Sequence, residues 1–188
     1  VAFYLVHSMS SKNRKDFKDM EAECAQNFVQ ACTETKIKQV IYLSGISNDE
    51  VLSKHLSSRK NVEDILRQGQ FHLTVLRAAI IIGSGSASFE IIRDLVEKLP
   101  LMIAPNWLET KCQPIAIRNV IQYLTGVMLQ EVAFDRVFDI GGPDVLTYKE
   151  MLLGYARARN LKRWIVTVPL MTPRLSSYWL HFITSTNY

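Results

Sequence analysis

The apolar residues fall into short unbroken runs and into longer stretches with helical spacing. Residues 1–6 and 39–44 are mostly apolar or β-branched without regular polar alternation, which is typical of strands covered on both faces. Between them, residues 16–35 carry apolar side chains at three- and four-residue steps, which predicts an amphipathic helix. A second helix is predicted over 52–68 and a third strand over 71–79. This alternation, with connections of helix length, predicts parallel pairing and a layered α/β sheet.

After Ile82 the predicted elements become shorter. Residues 83–86 are expected to form a plain connector, because a Gly-x-Gly pair without a third glycine is weak evidence for a phosphate site. Thr147, followed three residues later by Glu150, predicts the capped start of a helix. The other predicted elements are a helix ending near Lys98, strands over 101–104, 137–140 and 164–168, an extended segment over 114–117, and helices over 120–129 and 147–159.

Composition and charge narrow the class of protein. The chain has 188 residues, 48% hydrophobic and 21% charged, as in an ordinary globular domain. No apolar run approaches the about 20 residues that a membrane-spanning helix needs. The net charge of +4 is dispersed and no nucleic-acid-binding motif accompanies it, so a nucleic-acid partner is not expected. Cys24, Cys32 and Cys112 are too few and too scattered for a disulfide framework or a zinc site, which favours a reducing compartment, the cytoplasm.

Candidate chemistry concentrates around the second predicted strand. Ser44 ends that strand, and the helix after it carries His55, Arg59 and Glu63 four residues apart, on one face. A hydroxyl at the carboxyl end of a strand, facing polar groups on a helix, is how α/β folds build sites. The alternative is a plain turn after the strand and a solvated, salt-bridged helix face.

This stretch resembles the active-site segment of the short-chain dehydrogenase/reductase superfamily, in which a serine ends the fifth strand and the next helix carries Tyr-x-x-x-Lys. Ser44 takes the serine position, Arg59 falls on the lysine and His55 on the tyrosine, within the matching segment 58–63. The likeness extends over nearly the whole chain and is strongest to the extended and atypical branches, including NmrA-like and complex-I-accessory-subunit-like proteins. Further similar segments are residues 4–9, 76–83, 113–120, 138–143 and 168–179.

The resemblance implies a Rossmann-like, doubly wound parallel sheet that binds NAD or NADP, with no metal. It implies that Ser44 positions the substrate, that His55 stands in as acid/base and that Arg59 binds the ribose. The implied cofactor-binding residues are Val6, His7, Ser8, Arg59, Arg77, Ala78 and Ala79. The implied organisation is a Rossmann-type half over 1–83, a remainder with substrate-side elements over 84–169, and the start of a C-terminal extension over 170–188.

Two departures from the family pattern leave two functions open. The sequence contains no Gly-x-x-Gly-x-x-Gly loop, the main phosphate grip, so the resemblance implies a fragment that enters the fold at its fourth strand. The catalytic tyrosine and lysine are replaced by His55 and Arg59.

One hypothesis is an oxidoreductase or epimerase/dehydratase-like enzyme with a modified site acting on an unknown small molecule. The other is a non-catalytic dinucleotide-sensing or assembly protein, whose aromatic tail (Trp179, Phe182, Tyr188) is either a partner interface or a helix lacking its packing partner.

Overall fold

The computed structural model describes residues 1–6, 16–46 and 54–168, with side chains from 19 onward in the second range and from 58 onward in the third. The helices are α1 (Asp16–Glu34), α2 (Lys54–Leu66), α3 (Ala87–Lys98), α4 (Ile117–Gly126) and α5 (Tyr148–Ala158), with 3₁₀ turns at Asn106–Glu109 and Glu131–Ala133. The strands are β1 (Ala2–Tyr4), β2 (Gln39–Gly45), β3 (His72–Ala78), β4 (Ile81–Ile82), β5 (Leu101–Pro105), β6 (Lys111–Cys112), β7 (Ile115–Ala116), β8 (Val137–Ile140), β9 (Leu146–Thr147) and β10 (Trp164–Val168).

The described chain forms two compact units that are interleaved in sequence. Unit 1 contains residues 1–79 and 118–140, and unit 2 contains 80–117 and 141–168. The sequence led us to expect consecutive segments divided near residue 83. The interleaving arises because β8, although distant in sequence, hydrogen-bonds to β3 and so belongs to the sheet of unit 1.

Unit 1 is built on a four-stranded parallel sheet in the order β1-β2-β3-β8. This confirms the expected α/β class with parallel pairing. Strand β2 is covered on both faces as predicted, since Val40 and Ile41, whose side chains point to opposite faces, are both fully buried. The prediction is wrong for the first strand, where Phe3 is 38% exposed. Among the described strands, β1 pairs only with β2 and lies at one end of the sheet order.

The two faces of this sheet are held in different ways. On one face, Tyr4, Val40 and Val75 pack in a core with Ala25 of α1 and Leu66 of α2. Burial of these apolar side chains is the main force that fixes both helices to the sheet.

On the opposite face, where Ile41 is also buried, a buried amide adds hydrogen bonds to the apolar packing. Gln39 donates to the Thr74 hydroxyl at 2.9 Å and to the Val127 carbonyl at 3.0 Å, and it accepts from the Leu129 backbone at 2.6 Å. Thr74 in turn donates to the Ala133 carbonyl at 2.8 Å. These bonds tie the chain after α4 to the start of β2, and they satisfy polar groups that would otherwise be costly to bury.

Unit 2 is organised around the parallel pair β5–β10, with α3 and α5 packed together. Strand β5 alternates, because Met102 and Ala104 are buried whereas Leu101 and Ile103 are exposed. Two shorter pairs complete the unit, β4 with β7 in parallel and β6 with β9 antiparallel.

Local signals explain several boundaries in unit 2. The predicted capping box is confirmed: the Thr147 side chain accepts from the Glu150 backbone and the Glu150 carboxylate accepts from the Thr147 backbone. Gly142 donates its backbone N–H to the Pro114 carbonyl at 3.0 Å, and a Cβ at this position would lie 2.3 Å from that oxygen. The close approach of these two segments therefore requires glycine at 142.

The main differences from the predicted elements are at boundaries. Helix α4 begins at Ile117 rather than near 120 and ends at Gly126 rather than 129. Leu129 has a positive φ of 55°, and the backbone there bonds to Gln39, so tertiary contacts end the helical stretch early. None of the described helices combines the length and apolar character needed to cross a bilayer.

Candidate functional site

The carboxyl ends of the four parallel strands of unit 1 lie along one edge of its sheet. In this register Ser44 is opposite Arg77, Gly45 is opposite Ala78, and Ala78 is opposite Ile140. The structure therefore brings Ser44 next to Arg77 and Ala78, which the sequence analysis assigned to a different segment. In open α/β sheets this edge is where ligands bind.

Ser44 is only 5% exposed, and it shares a face of β2 with Tyr42. The Tyr42 hydroxyl donates to the Arg59 backbone carbonyl at 3.4 Å, which joins β2 to α2. Burial raises the pKa of Tyr42, against the opposing effects of a hydrogen bond with Ser44 and of the Arg59 charge. Tyr42 is thus a neutral hydroxyl near neutral pH, held between the serine and the helix.

The helix residues of the candidate site lie on α2 as the spacing predicted. His55 is in the first turn and Arg59 one turn later, which places both on one face of the helix. The side chain of His55 lies outside the described residues. The Arg59 guanidinium is partly exposed and forms no ion pair with any side chain in the described ranges.

Glu63, the third member of the helical stripe, is buried rather than solvated. Its two carboxylate oxygens accept hydrogen bonds from Arg67 at 2.7 Å and from Arg77 at 2.9 Å. Burial raises the pKa of Glu63, but the hydrogen bonds from Arg77 and Arg67 outweigh burial and hold the pKa below its ordinary value. The glutamate therefore stays ionised and ties α2 to β3 through Arg77.

A second buried polar contact joins the two helices that cover this face. Ser58 of α2 donates to the Glu21 carboxylate of α1, and both residues are less than 9% exposed. We refer to the connected polar residues of this face as the polar cluster, and its members are Glu21, Tyr42, Ser44, Ser58, Glu63 and Arg77. Sequence reasoning singled out neither Tyr42 nor the Glu21–Ser58 contact. The alternation of β2 places Tyr42 on the Ser44 face and could have identified it, whereas the other contact depends on how α1 and α2 pack.

The residues expected to contact a dinucleotide have different surroundings. Val6 follows β1 and is 60% exposed, and Ala79 follows β3 and is also exposed. Ala78 is buried, and its carbonyl accepts from the Ile46 backbone at 3.1 Å. His7 and Ser8 lie outside the described residues, as does the aromatic tail with Trp179, Phe182 and Tyr188. Across the described ranges, no three acidic, histidine or cysteine side chains are grouped so as to hold a metal.

By sequence, no protein family and no curated protein matches this chain. By structure, it is similar to the UDP-N-acetylglucosamine 4-epimerase of Bacillus cereus (TM-score 0.72, 20% identity, 99% of this chain and 72% of that one). It is also similar to the UDP-glucuronic acid 4-epimerase of Bacillus cereus, solved with NAD, with a TM-score of 0.70 and 14% identity. This match covers 89% of this chain and 62% of the epimerase. A short-chain dehydrogenase/reductase superfamily protein of Agrobacterium tumefaciens with bound NAD also matches, with a TM-score of 0.69 and 13% identity. This match covers 89% of this chain and 67% of that protein.

These matches identify the fold. At identities of 20% or less, the shared property is the arrangement of strands and helices, and it confirms the expected Rossmann-like fold. The chain spans 62% of the length of the UDP-glucuronic acid 4-epimerase and 63% of an NAD-dependent NDP-hexosamine dehydratase that also matches. It therefore corresponds to less than two thirds of the length of those proteins.

Proposed function

We propose that this chain binds NAD or NADP at the carboxyl edge of the unit 1 sheet and forms part of an oxidoreductase or epimerase/dehydratase-like enzyme with a modified active site. The fold supports the location, because ligands of open α/β sheets bind beyond the carboxyl ends of the strands. The polar cluster supports the location as well. Two hydrogen bonds, from Tyr42 to the Arg59 carbonyl and from Arg77 to Glu63, join the helix that carries Arg59 to the strands β2 and β3 at that edge.

The observation that carries the proposal is the state of Arg59. Glu63 on the same helix is bound to two arginines, whereas the Arg59 guanidinium forms no ion pair among the described residues and is partly exposed. A guanidinium stays charged at any physiological pH and offers five N–H donors. These donors suit ribose hydroxyls and phosphate oxygens, so Arg59 would hold the dinucleotide. The exposed residues Val6 and Ala79, together with His7 and Ser8 after Val6, would contact the rest of the dinucleotide.

The two replaced residues define how the chemistry would work. The dinucleotide, when bound, supplies or accepts hydride. Arg59 cannot exchange a proton near neutral pH, so the proton on the substrate oxygen would be moved by His55, whose unperturbed pKa is about 6.5. Ser44 would orient the same oxygen by a hydrogen bond.

A second function, dinucleotide sensing without turnover, is favoured by the burial of Ser44. Ser44 is only 5% exposed, and a serine that orients a substrate must present its hydroxyl to the ligand. In this case Arg59 keeps its role and no proton donor is needed. A protein or domain partner would then bind at the aromatic tail, which lies outside the described residues.

The binding proposal is tested by fluorescence titration of the chain with NADH and NADPH. We expect saturable binding that Arg59→Ala weakens about tenfold, the range for a hydrogen bond to a charged group. Arg59→Lys, which restores the residue of the family pattern, should retain most of the affinity. Lys60→Ala is the matched control, because it removes the same charge from the adjacent position of α2. Equal weakening by Lys60→Ala would mean that only net charge matters, and absence of binding by the parent chain would contradict the proposal.

The catalytic proposal is tested by hydride transfer with a panel of carbonyl compounds, quinones and nucleotide sugars. We expect His55→Ala to abolish turnover and leave NADH affinity within about twofold, because His55 acts on the substrate oxygen and not on the ribose. His72→Ala, a partly exposed histidine of β3 paired with Asp135, is the control and should leave turnover unchanged. Turnover that survives His55→Ala rules out its role, and dinucleotide binding without any turnover favours the sensing function.

We also propose the cytoplasm as the location. The thiols of Cys24, Cys32 and Cys112 are all free of disulfide bonds, in keeping with a reducing compartment.

A further inference from the structure

Unit 2 contains a pocket that the proposed function does not use. It has a volume of about 170 Å³ and lies between α3, β5 and α5. Its floor is formed by buried apolar side chains: Ile92, Leu95, Met102, Ala104 and Leu152. We call it the apolar pocket. Protein interiors are close-packed and hold few voids larger than a water molecule, so an apolar space of this size is available to a ligand.

The rim of the apolar pocket is aromatic and hydroxylated. Trp107 is 42% exposed and Ser88 is also exposed, which places the opening beside these two residues. The Trp107 and Tyr148 rings meet edge to face, with centroids 5.6 Å apart and an interplanar angle of 83°. The two rings therefore pack against each other in the lining of the pocket.

Tyr148 adds a second hydroxyl to the lining, which also includes the Ser88 hydroxyl and the Trp107 indole N–H at the rim. It is partly buried at the first position of α5, and its hydroxyl forms no hydrogen bond within the part of the chain that the structure describes. Burial raises the pKa of Tyr148, so the hydroxyl is a neutral donor. A ligand oxygen in the pocket would supply a hydrogen-bond partner for this partly buried hydroxyl.

The size and charge of the apolar pocket restrict its ligand. No acidic or basic side chain lines it among the described residues, so nothing there would balance the charge of a nucleotide diphosphate. An apolar cavity of about 150 Å³ in another protein stays dry and binds benzene. We propose that the apolar pocket binds a small, neutral aromatic molecule that carries one oxygen, with its ring on the apolar floor and its oxygen bonded to the Tyr148 hydroxyl. This binding does not depend on the dinucleotide site.

The test uses 4-fluorophenol as the probe and ¹⁹F NMR titration of the whole chain as the measurement. We expect saturable binding that Ala104→Leu weakens at least about tenfold, because the larger side chain fills the floor without exposing polar groups. Ile103→Leu is the matched control, since it adds no volume on the exposed face of the same strand, and it should leave the affinity unchanged. Circular dichroism checks that each variant is folded, and Leu152→Phe fills the pocket from α5 if Ala104→Leu fails to fold.

A second variant tests the contribution of the Tyr148 hydroxyl to binding separately from that of the apolar floor. Tyr148→Phe should weaken 4-fluorophenol about fivefold and leave fluorobenzene within about twofold, because only the phenol uses the hydroxyl. Three results would overturn the proposal: no saturable binding of 4-fluorophenol by the parent chain, equal binding by the parent chain and both filled variants, or UDP displacing the probe. Equal loss of both probes in Tyr148→Phe would show that the ring packs against the ligand and that the assigned hydrogen bond is wrong.

Discussion

The polar cluster of unit 1 and the apolar pocket of unit 2 differ in which side chains are buried and in how they are stabilised. In the polar cluster, carboxylates and hydroxyls are taken out of water and bonded to one another, as in Glu63 with Arg77 and Ser58 with Glu21. In the apolar pocket, the described residues of the buried floor carry no polar side chain. The first region fixes the direction of its groups, because each hydrogen bond constrains an angle as well as a distance. The second region selects its ligand by shape and by excluding charged groups.

This contrast bears on what each region contributes to stability. A buried ion pair adds little net stability over an apolar replacement, but removing one partner leaves an uncompensated charge and is strongly destabilising. An apolar wall contributes through the area it removes from water and through its contacts with neighbouring atoms. Variants with matched controls can therefore measure the two contributions to stability separately.

The largest effect is expected in the wall of the apolar pocket. Met102→Ala should lower the free energy of unfolding by about 3 kcal/mol, because Met102 is 1% exposed and its loss enlarges an existing cavity. Ile103→Ala, the next residue of β5 but 53% exposed, should cost less than about 1 kcal/mol. Urea denaturation measures both. Similar losses at the two positions would show that the alternation of β5 does not determine stability in unit 2.

A smaller loss is expected from the polar cluster. Glu63→Gln should lower the free energy of unfolding by about 2 kcal/mol, since Arg77 and Arg67 lose their charged partner but remain partly exposed and are rehydrated. Asp64→Asn makes the same chemical change at the neighbouring exposed position and should cost less than about 0.5 kcal/mol. If both variants behave alike in urea denaturation, the contacts of Glu63 carry no more weight than a surface charge.

The smallest effect is a pH dependence in the acid range, which Glu63 of the polar cluster should show and the apolar floor of the pocket should not. The pKa of folded Glu63 lies below its ordinary value of 4.5, so the unfolded chain binds the proton more readily. The stabilisation from Glu63 is complete above about pH 4.5 and is lost as the pH falls through the lower folded pKa. The difference in unfolding free energy between the parent chain and Glu63→Gln should therefore shrink as the pH falls from 7 to below 4.5. A difference that stays constant would mean that the carboxylate of Glu63 is not stabilised in the folded state, and Met102→Ala serves as the pH-independent reference.

Much of the candidate site could be predicted because its signals are local. The run ending at Ser44 predicted a strand, and the four-residue spacing of Arg59 and Glu63 predicted a common helix face, and both elements are present. The state of Glu63 could not be predicted in this way. Its spacing suits a solvated salt-bridged stripe equally well, and only the approach of Arg77 from β3 shows that it is buried and doubly bonded. The roles of Ser44, His55 and Arg59 stay predictions that the experiments above address.

The sequence by itself determined the order and type of the main elements, because apolar periodicity and capping residues such as Thr147 act within a few residues of chain. It also placed Ser44 at the end of a buried strand. The tertiary structure alone decided which distant segments meet: β8 beside β3, Gln39 against the chain after α4, and Met102 and Tyr148 around one apolar pocket. The physical reason is that these contacts join residues 46 to 90 positions apart, and their free energy depends on packing and burial that no local pattern records.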